Sequence, residues 1–229
     1  IFIESPYRIN KSCDNIKVLN MVTPNHGTCM LCKQDVQYRS IVKHLNKCLE
    51  QEVPRNVASK EKIFLIKIYS GKLFWLFIEI NGSSTLEKLD HFLRKTWLEC
   101  CGHMSEFNIN GEDYSCDGGM SRLIHKILKV DTEFAYTYDF GSSTELKGKV
   151  ISVRSGKLPK NLRLLARNIL PEEVKCTTFQ KLPEVICSIC YDFCCRKCMQ
   201  EHNSCEGEEF MLPVVNSPRM GICGYTGQD

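Results

Sequence analysis

The stretch IFLIKIYSGKLFWLFIEI, residues 63–80, decides the fold. Two runs rich in β-branched and aromatic residues flank the turn-forming Ser70-Gly71-Lys72, so the stretch predicts a β-hairpin. Downstream, Ser84-Thr85-Leu86-Glu87 reads as a capping box, in which the Ser84 hydroxyl and the Glu87 carboxylate satisfy each other's free amides. Leu86, Leu89, Leu93, Trp97 and Cys100 then recur at helical spacing. EFNINGEDY carries Asn110-Gly111, a two-residue hairpin turn. SRLIHKILKV leads to EFAYTYDF, a strand with alternating faces, and Gly141–Thr144 turns it into ELKGKVISVR, the next strand. A basic helix is expected over residues 160–168, with Pro171 closing the domain. Residues 61–170 therefore read as one α+β unit, an antiparallel sheet covered by a helix at 84–100.

The chain has 229 residues, 43% hydrophobic and 25% charged, which is an ordinary globular composition with room for a genuine core. A net charge of +3 does not by itself imply nucleic acid. Fifteen cysteines far exceed the usual complement. The opening IFIESPYRIN lacks the basic-then-apolar layout of an export signal, and no apolar run approaches the roughly 18 residues of a membrane helix. The expectation is an intracellular, cytoplasmic protein without membrane contact, its cysteines reduced and partly metal-bound. Around the core the chain divides into an arm (1–24), a finger (25–49), a charged linker broken by Pro54 (50–60), and a C-terminal zinc-binding module and tail (171–229).

The finger follows from its ligands. Cys29 and Cys32 form a Cys-x2-Cys turn, and His44 and Cys48, four residues apart, share one face of a helix. Together they supply the four donors that tetrahedral Zn2+ requires. Val36 and Ile41 stand where a ββα finger needs its small core. CMLCKQDVQYRSIVKHLNKCL also resembles the ubiquitin-binding CCHC fingers of DNA-repair proteins in ligand order and in the apolar Val36, Ile41 and Leu45; Asn46 stands where those fingers carry an acid. Arg39, Lys43 and Lys47 form a basic stripe along the finger helix.

Near the other end, CSICYDFCCRKCMQEHNSC (187–205) holds seven potential ligands. Cys194 adjoins Cys195 and is the expected spare. The order resembles the later part of a B-box, with two cross-braced zinc sites. That resemblance implies one site from Cys187, Cys190, His202 and Cys205, and a second from Cys195 and Cys198 with an earlier pair. Of that earlier pair only Cys176 is present, with Phe179 three residues on. A competing arrangement is an all-cysteine site from Cys187, Cys190, Cys195 and Cys198, which the short loop would crowd.

HMSEFNINGEDY (103–114), FAYTYDFG (134–141) and LPVVNSPRMGICGYTG (212–227), in that order, resemble the Ri-plasmid open-reading-frame-three-like family, in particular archaeal-type members with a zinc-binding tail. The resemblance covers residues 60–229 and implies an α+β core with a metal-binding appendage. Some members of that family are labelled resolvase-like, but Ser142 and Ser143 lie in a turn without an arginine cluster and read as turn formers. Asp139 reads as a strand-end turn cap. No G-x-S-x-G, P-loop, dinucleotide fingerprint or H-E-x-x-H occurs. His91, His103 and His125 lack a ligand-type partner at diagnostic spacing, and Cys223 is either buried under the tail or the missing ligand of the incomplete site.

On the expected helix, Lys160, Arg163 and Arg167 would share a face opposite Leu162, Leu165 and Ile169, presenting cations either to phosphates or to plain solvent. The sequence thus points to a non-enzymatic zinc-binding adaptor that contacts nucleic acid, DNA or RNA, or a ribonucleoprotein through basic surfaces. A protein-interaction module and a mobile-element enzyme are the alternatives.

Overall fold

The computed structural model describes residues 26–52, 60–202, 205 and 210–227. The expected arm and most of the expected linker lie outside these residues. Nine strands form one antiparallel sheet: β1 (His26–Cys29), β2 (Asp35–Gln37), β3 (Lys62–Ser70), β4 (Phe74–Asn81), β5 (Ser105–Ile109), β6 (Glu112–Ser115), β7 (Glu133–Tyr138), β8 (Thr144–Ser155) and β9 (Leu162–Asn168). Their order across the sheet is β2-β1-β9-β4-β3-β8-β7-β5-β6. Helix α1 (Ile41–Glu52) follows β2, α2 (Leu86–Leu93) follows β4, and the one-turn α3 (Ile124–Ile127) precedes β7. A smaller sheet, β11-β10-β12, comprises β10 (Val185–Cys187), β11 (Phe193–Cys194) and β12 (Met211–Pro213), with the short α4 (Arg196–Glu201) after β11. Among the described residues no helix is long and apolar enough to cross a membrane.

The hairpin at 63–80 is the centre of the sheet, with Ser70 opposite Phe74 across a turn in which Gly71 has φ 55°. Its near-continuous apolar run has a simple cause: both faces are covered. Phe64, Ile66 and Ile68 of β3, with Leu76, Ile78 and Ile80 of β4, face the core built by Leu86, Leu89, Leu93 and Trp97. Leu65, Trp75 and Phe77 face the other way, onto Val36, Ile41, Leu45 and Leu49 of the finger. The two clusters follow the period of two that a strand imposes. Asn110-Gly111 makes the expected tight turn, with φ of 55° and 84° and Ile109 opposite Glu112.

Three expectations need correction. The basic helix at 160–168 is strand β9, paired with β4 and β1. Its i, i+3 apolar spacing arises because Ala166 pairs with Phe77 but Leu164 with Ile78, leaving Leu165 as an extra, bulged residue. Leu165 and Ala166 therefore both turn towards the finger. The helix cap is Thr85, whose side chain accepts the Lys88 amide at 3.3 Å, and Ser84 is buried instead. The α-helix ends at Leu93 and continues as a π turn through Leu98, short of Cys100.

Nor do the boundaries at 50–60 and 171 separate independent packing units. β1 extends the core sheet by pairing Gly27 with Asn168 and Cys29 with Ala166. Ile186, Phe193, Leu212 and Met220 of the C-terminal module join the cluster under α2. The protein is a sheet with the finger on one face, and α2 and the C-terminal module on the other.

Candidate metal centres

The finger ligands converge from three elements. Cys29 ends β1, Cys32 lies in the following turn where Lys33 takes φ 63°, and His44 and Cys48 lie on α1. The Lys33 amide donates to the Cys29 carbonyl at 2.8 Å and closes the knuckle. His44 Nε2 lies 3.2 Å from Cys32 Sγ and 3.3 Å from Cys48 Sγ, and all four ligand atoms fall within 4.8 Å of one another. Burial pushes the Cys48 thiol up to about 11, whereas backbone amides led by that of Gln34 pull Cys32 down. Crowded thiols of this kind become ligands when a cation replaces their protons.

In the C-terminal module Cys187, Cys190, His202 and Cys205 form one such group, with Cys190 Sγ 3.6 Å from His202 Nε2. Cys187 closes β10, and its carbonyl accepts the Tyr191 amide at 2.8 Å, a second knuckle. Cys195 and Cys198 turn away from that group to meet Cys176, whose Sγ lies 3.2 Å from that of Cys198. The all-cysteine quartet is not assembled. Burial would raise the Cys176 thiol, but backbone amides of Phe179 and Cys195 outweigh it and bring it down to about 6. Among the described residues this group has three donors. Cys194 stands apart, buried, with Sγ towards the Asp192 carbonyl at 3.8 Å and its thiol pushed up by burial to about 12.

A fourth group was not legible in the spacing. Cys100, Cys101 and His103 meet Cys223. His103, without a ligand-type partner at diagnostic spacing, gains such partners through the fold, and Cys223 is exposed rather than covered by the tail. Only a pairing between residues 120 apart reveals it. Beside it, Arg219 is wholly buried and donates to Asp139 Oδ2 at 2.6 Å. That guanidinium holds the Asp139 carboxyl down to about 2. Asp139 Oδ1 accepts the amides of Gly141 and Ser142, so it caps the turn as its position suggested.

The six basic candidates separate. Arg39, Lys43 and Lys47 are exposed on the outer side of the finger. Lys160 is exposed before β9, but Arg163 is drawn inward, pairing with the buried Glu79 at 2.8 Å and with Glu52 of α1 at 2.7 Å. Arg167 is largely buried and donates to the Asn216 carbonyl of the tail. The three share no phosphate-facing surface, because the bulge at Leu165 breaks the alternation along β9 and sends Arg163 and Arg167, four residues apart, to opposite faces.

No family model matches the chain, and no curated protein matches it. Among solved structures it is similar to a protein of unknown function, MM3350 from Methanosarcina mazei Go1, at 17% identity and a TM-score of 0.40, over 46% of this chain and 67% of that one. Several Cys/His groups with metal-binding geometry are what the fold itself provides.

Proposed function

We propose that the protein is a zinc-stabilised, non-catalytic adaptor of a reducing intracellular compartment that contacts nucleic acid through the outer face of its finger. Thiolate and imidazole donors in groups of three and four suit Zn2+, which takes four such ligands without preference for one d-electron geometry. Cys29, Cys32, His44 and Cys48 would hold one ion, and Cys187, Cys190, His202 and Cys205 another. Cys176, Cys195 and Cys198 would supply three donors to a third. Bound zinc would supply folding energy here, since each module is small. The proposed membership of the Ri-plasmid open-reading-frame-three-like family rests on the three motifs alone.

One observation carries the nucleic-acid reading. Arg39, Lys43 and Lys47 are exposed, and among the described residues none has an acidic partner, whereas Arg154, Arg163 and Arg219 are committed to internal carboxylates. Unpaired cations on one face can replace counterions at phosphates. Replacing all three with Glu should leave the metal content intact and weaken binding to RNA or DNA in a mobility-shift titration. The slope of log K against log salt should become shallower by up to about two to three units, at ~0.7–0.9 per phosphate contact. Unchanged affinity and slope would remove the reading. A second reading, docking of a protein partner, is supported by Phe179, Leu182 and Ile189, which are 38%, 82% and 49% exposed on the C-terminal module.

A further inference from the structure

The fourth group differs from the others in being split between the core and a turn at 221–224, among the last described residues. Cys100 and Cys101 follow the π turn after α2, and His103 comes two residues later, just before β5. Gly102 between them takes φ 80°, which bends the chain so that Cys101 and His103 point to one spot. Glu99 fixes this loop: its carboxylate accepts the Gly102 amide at 2.6 Å, Arg94 Nε at 2.7 Å and the Tyr138 hydroxyl at 3.1 Å. Cys223 arrives from the opposite end in a turn with positive φ at Gly221, Cys223 and Gly224.

Their ligand atoms all lie within 4.8 Å of one another. Cys101 Sγ is 3.7 Å from Cys100 Sγ and 3.8 Å from Cys223 Sγ. In a tetrahedron with zinc–sulfur bonds of ~2.3 Å the sulfur–sulfur edge is about 3.8 Å. His103 Nε2 lies 2.9 Å from Cys101 Sγ and 3.2 Å from Cys223 Sγ, contracted in the same sense as the 3.2 and 3.3 Å edges at His44 of the finger. The surroundings suit thiolate ligands: Arg219 Nε donates to Cys100 Sγ at 3.4 Å, and the buried guanidinium it belongs to favours the anionic sulfur.

We propose that Cys100, Cys101, His103 and Cys223 form a further zinc-type metal site that staples the C-terminal tail to the core. The tail it closes is already threaded inward: Ser217 donates to the Trp97 carbonyl at 2.6 Å, and Arg219 reaches Thr144 Oγ1 and the Ser142 carbonyl at 3.0 Å. Burying a guanidinium is costly unless it is fully paired, so the tail must be held in register for Arg219 to keep its partners. A metal linking Cys223 to residues 100–103 holds that register at its outer edge. With Cys101 and Cys223 exposed, the ion would be open to exchange with solvent.

The test counts metal on the intact chain, purified with excess zinc and then freed of unbound ion. Cys223→Ser and His103→Ala should each lower the zinc content by one equivalent relative to the parent, while His103→Cys, which keeps a fourth soft donor, should retain the parental number. If Cys223→Ser does not fold, the two substitutions at His103 decide alone. Equal metal content in the parent, His103→Ala and His103→Cys would overturn the proposal. So would a Cys101–Cys223 disulfide in the metal-loaded parent prepared with a thiol reductant.

Discussion

Glu79 is 1% exposed in the middle of the sheet, and a buried carboxylate is tolerated only when paired and hydrogen-bonded. Arg154 Nε donates to one oxygen at 2.7 Å, and Arg163 Nη2 to the other at 2.8 Å. Arg163 also reaches Glu52 at 2.7 Å, so this side chain ties the sheet to the last turn of the finger helix. The same arginine that looked like a phosphate contact in the sequence is thus a structural clamp. Arg163→Ala should lower stability by about 2 kcal/mol in chemical denaturation, less than the full penalty of an orphaned buried charge because Arg154 remains. A loss within experimental scatter would mean that Glu79 is satisfied by Arg154 alone.

At the scale of elements, the finger hairpin is an outer pair of the main sheet and its helix is the lid over Trp75 and Phe77. Gly27 permits this, since a Cβ there would collide with the Arg167 carbonyl and the Trp75 ring. Tyr38 completes the contact, its ring centroid 5.2 Å from that of Trp75. Removing one ligand should therefore be felt beyond the finger. In a Trp97→Phe background, which leaves Trp75 as the sole tryptophan, His44→Ala should release about one metal equivalent and shift Trp75 emission to the red as α1 lifts away. Amide exchange should rise in β1, β2 and the exposed edge of β9, while β3 and β8 stay protected by their continuous antiparallel ladder. Unchanged emission with the metal gone would show that apolar contact alone docks the finger.

For the molecule as a whole, the candidate metal groups lie outside the central ladder of the main sheet, to which β1 contributes one ligand, Cys29, from the outer hairpin. The central ladder from β4 to β7 is held by continuous antiparallel pairing and by the cluster under α2, whose buried members include no candidate ligand, the half-buried Cys100 packing against it from outside. Exhaustive chelation under reducing conditions should accordingly lower the melting temperature and open residues 171–227 to limited proteolysis. A fragment retaining the strands from β3 to β8 should persist, and zinc should restore protection. Digestion of that fragment at the same rate as the tail would show the sheet itself to be metal-dependent. About three equivalents follow from the finger and the two C-terminal groups, and one more from the tail staple.

Several features were determined by local sequence alone. The hairpin at 63–80, the Asn110-Gly111 turn and the Cys-x2-Cys knuckles depend on backbone propensity and on ligand spacing over a few residues, and such signals survive without knowledge of the fold. The strand character of 162–168 did not, because a bulge at Leu165 shifts the apolar positions to a spacing that imitates a helix. The grouping of Cys176 with Cys195 and Cys198 was already implied by the B-box-like ligand order, whereas only tertiary structure decided that the finger completes the main sheet and that Arg163 and Arg167 turn inward. The same holds for the meeting of Cys223 with residues 100–103. These depend on which segments the sheet brings side by side, and a contact across 120 residues leaves no periodic trace in the chain.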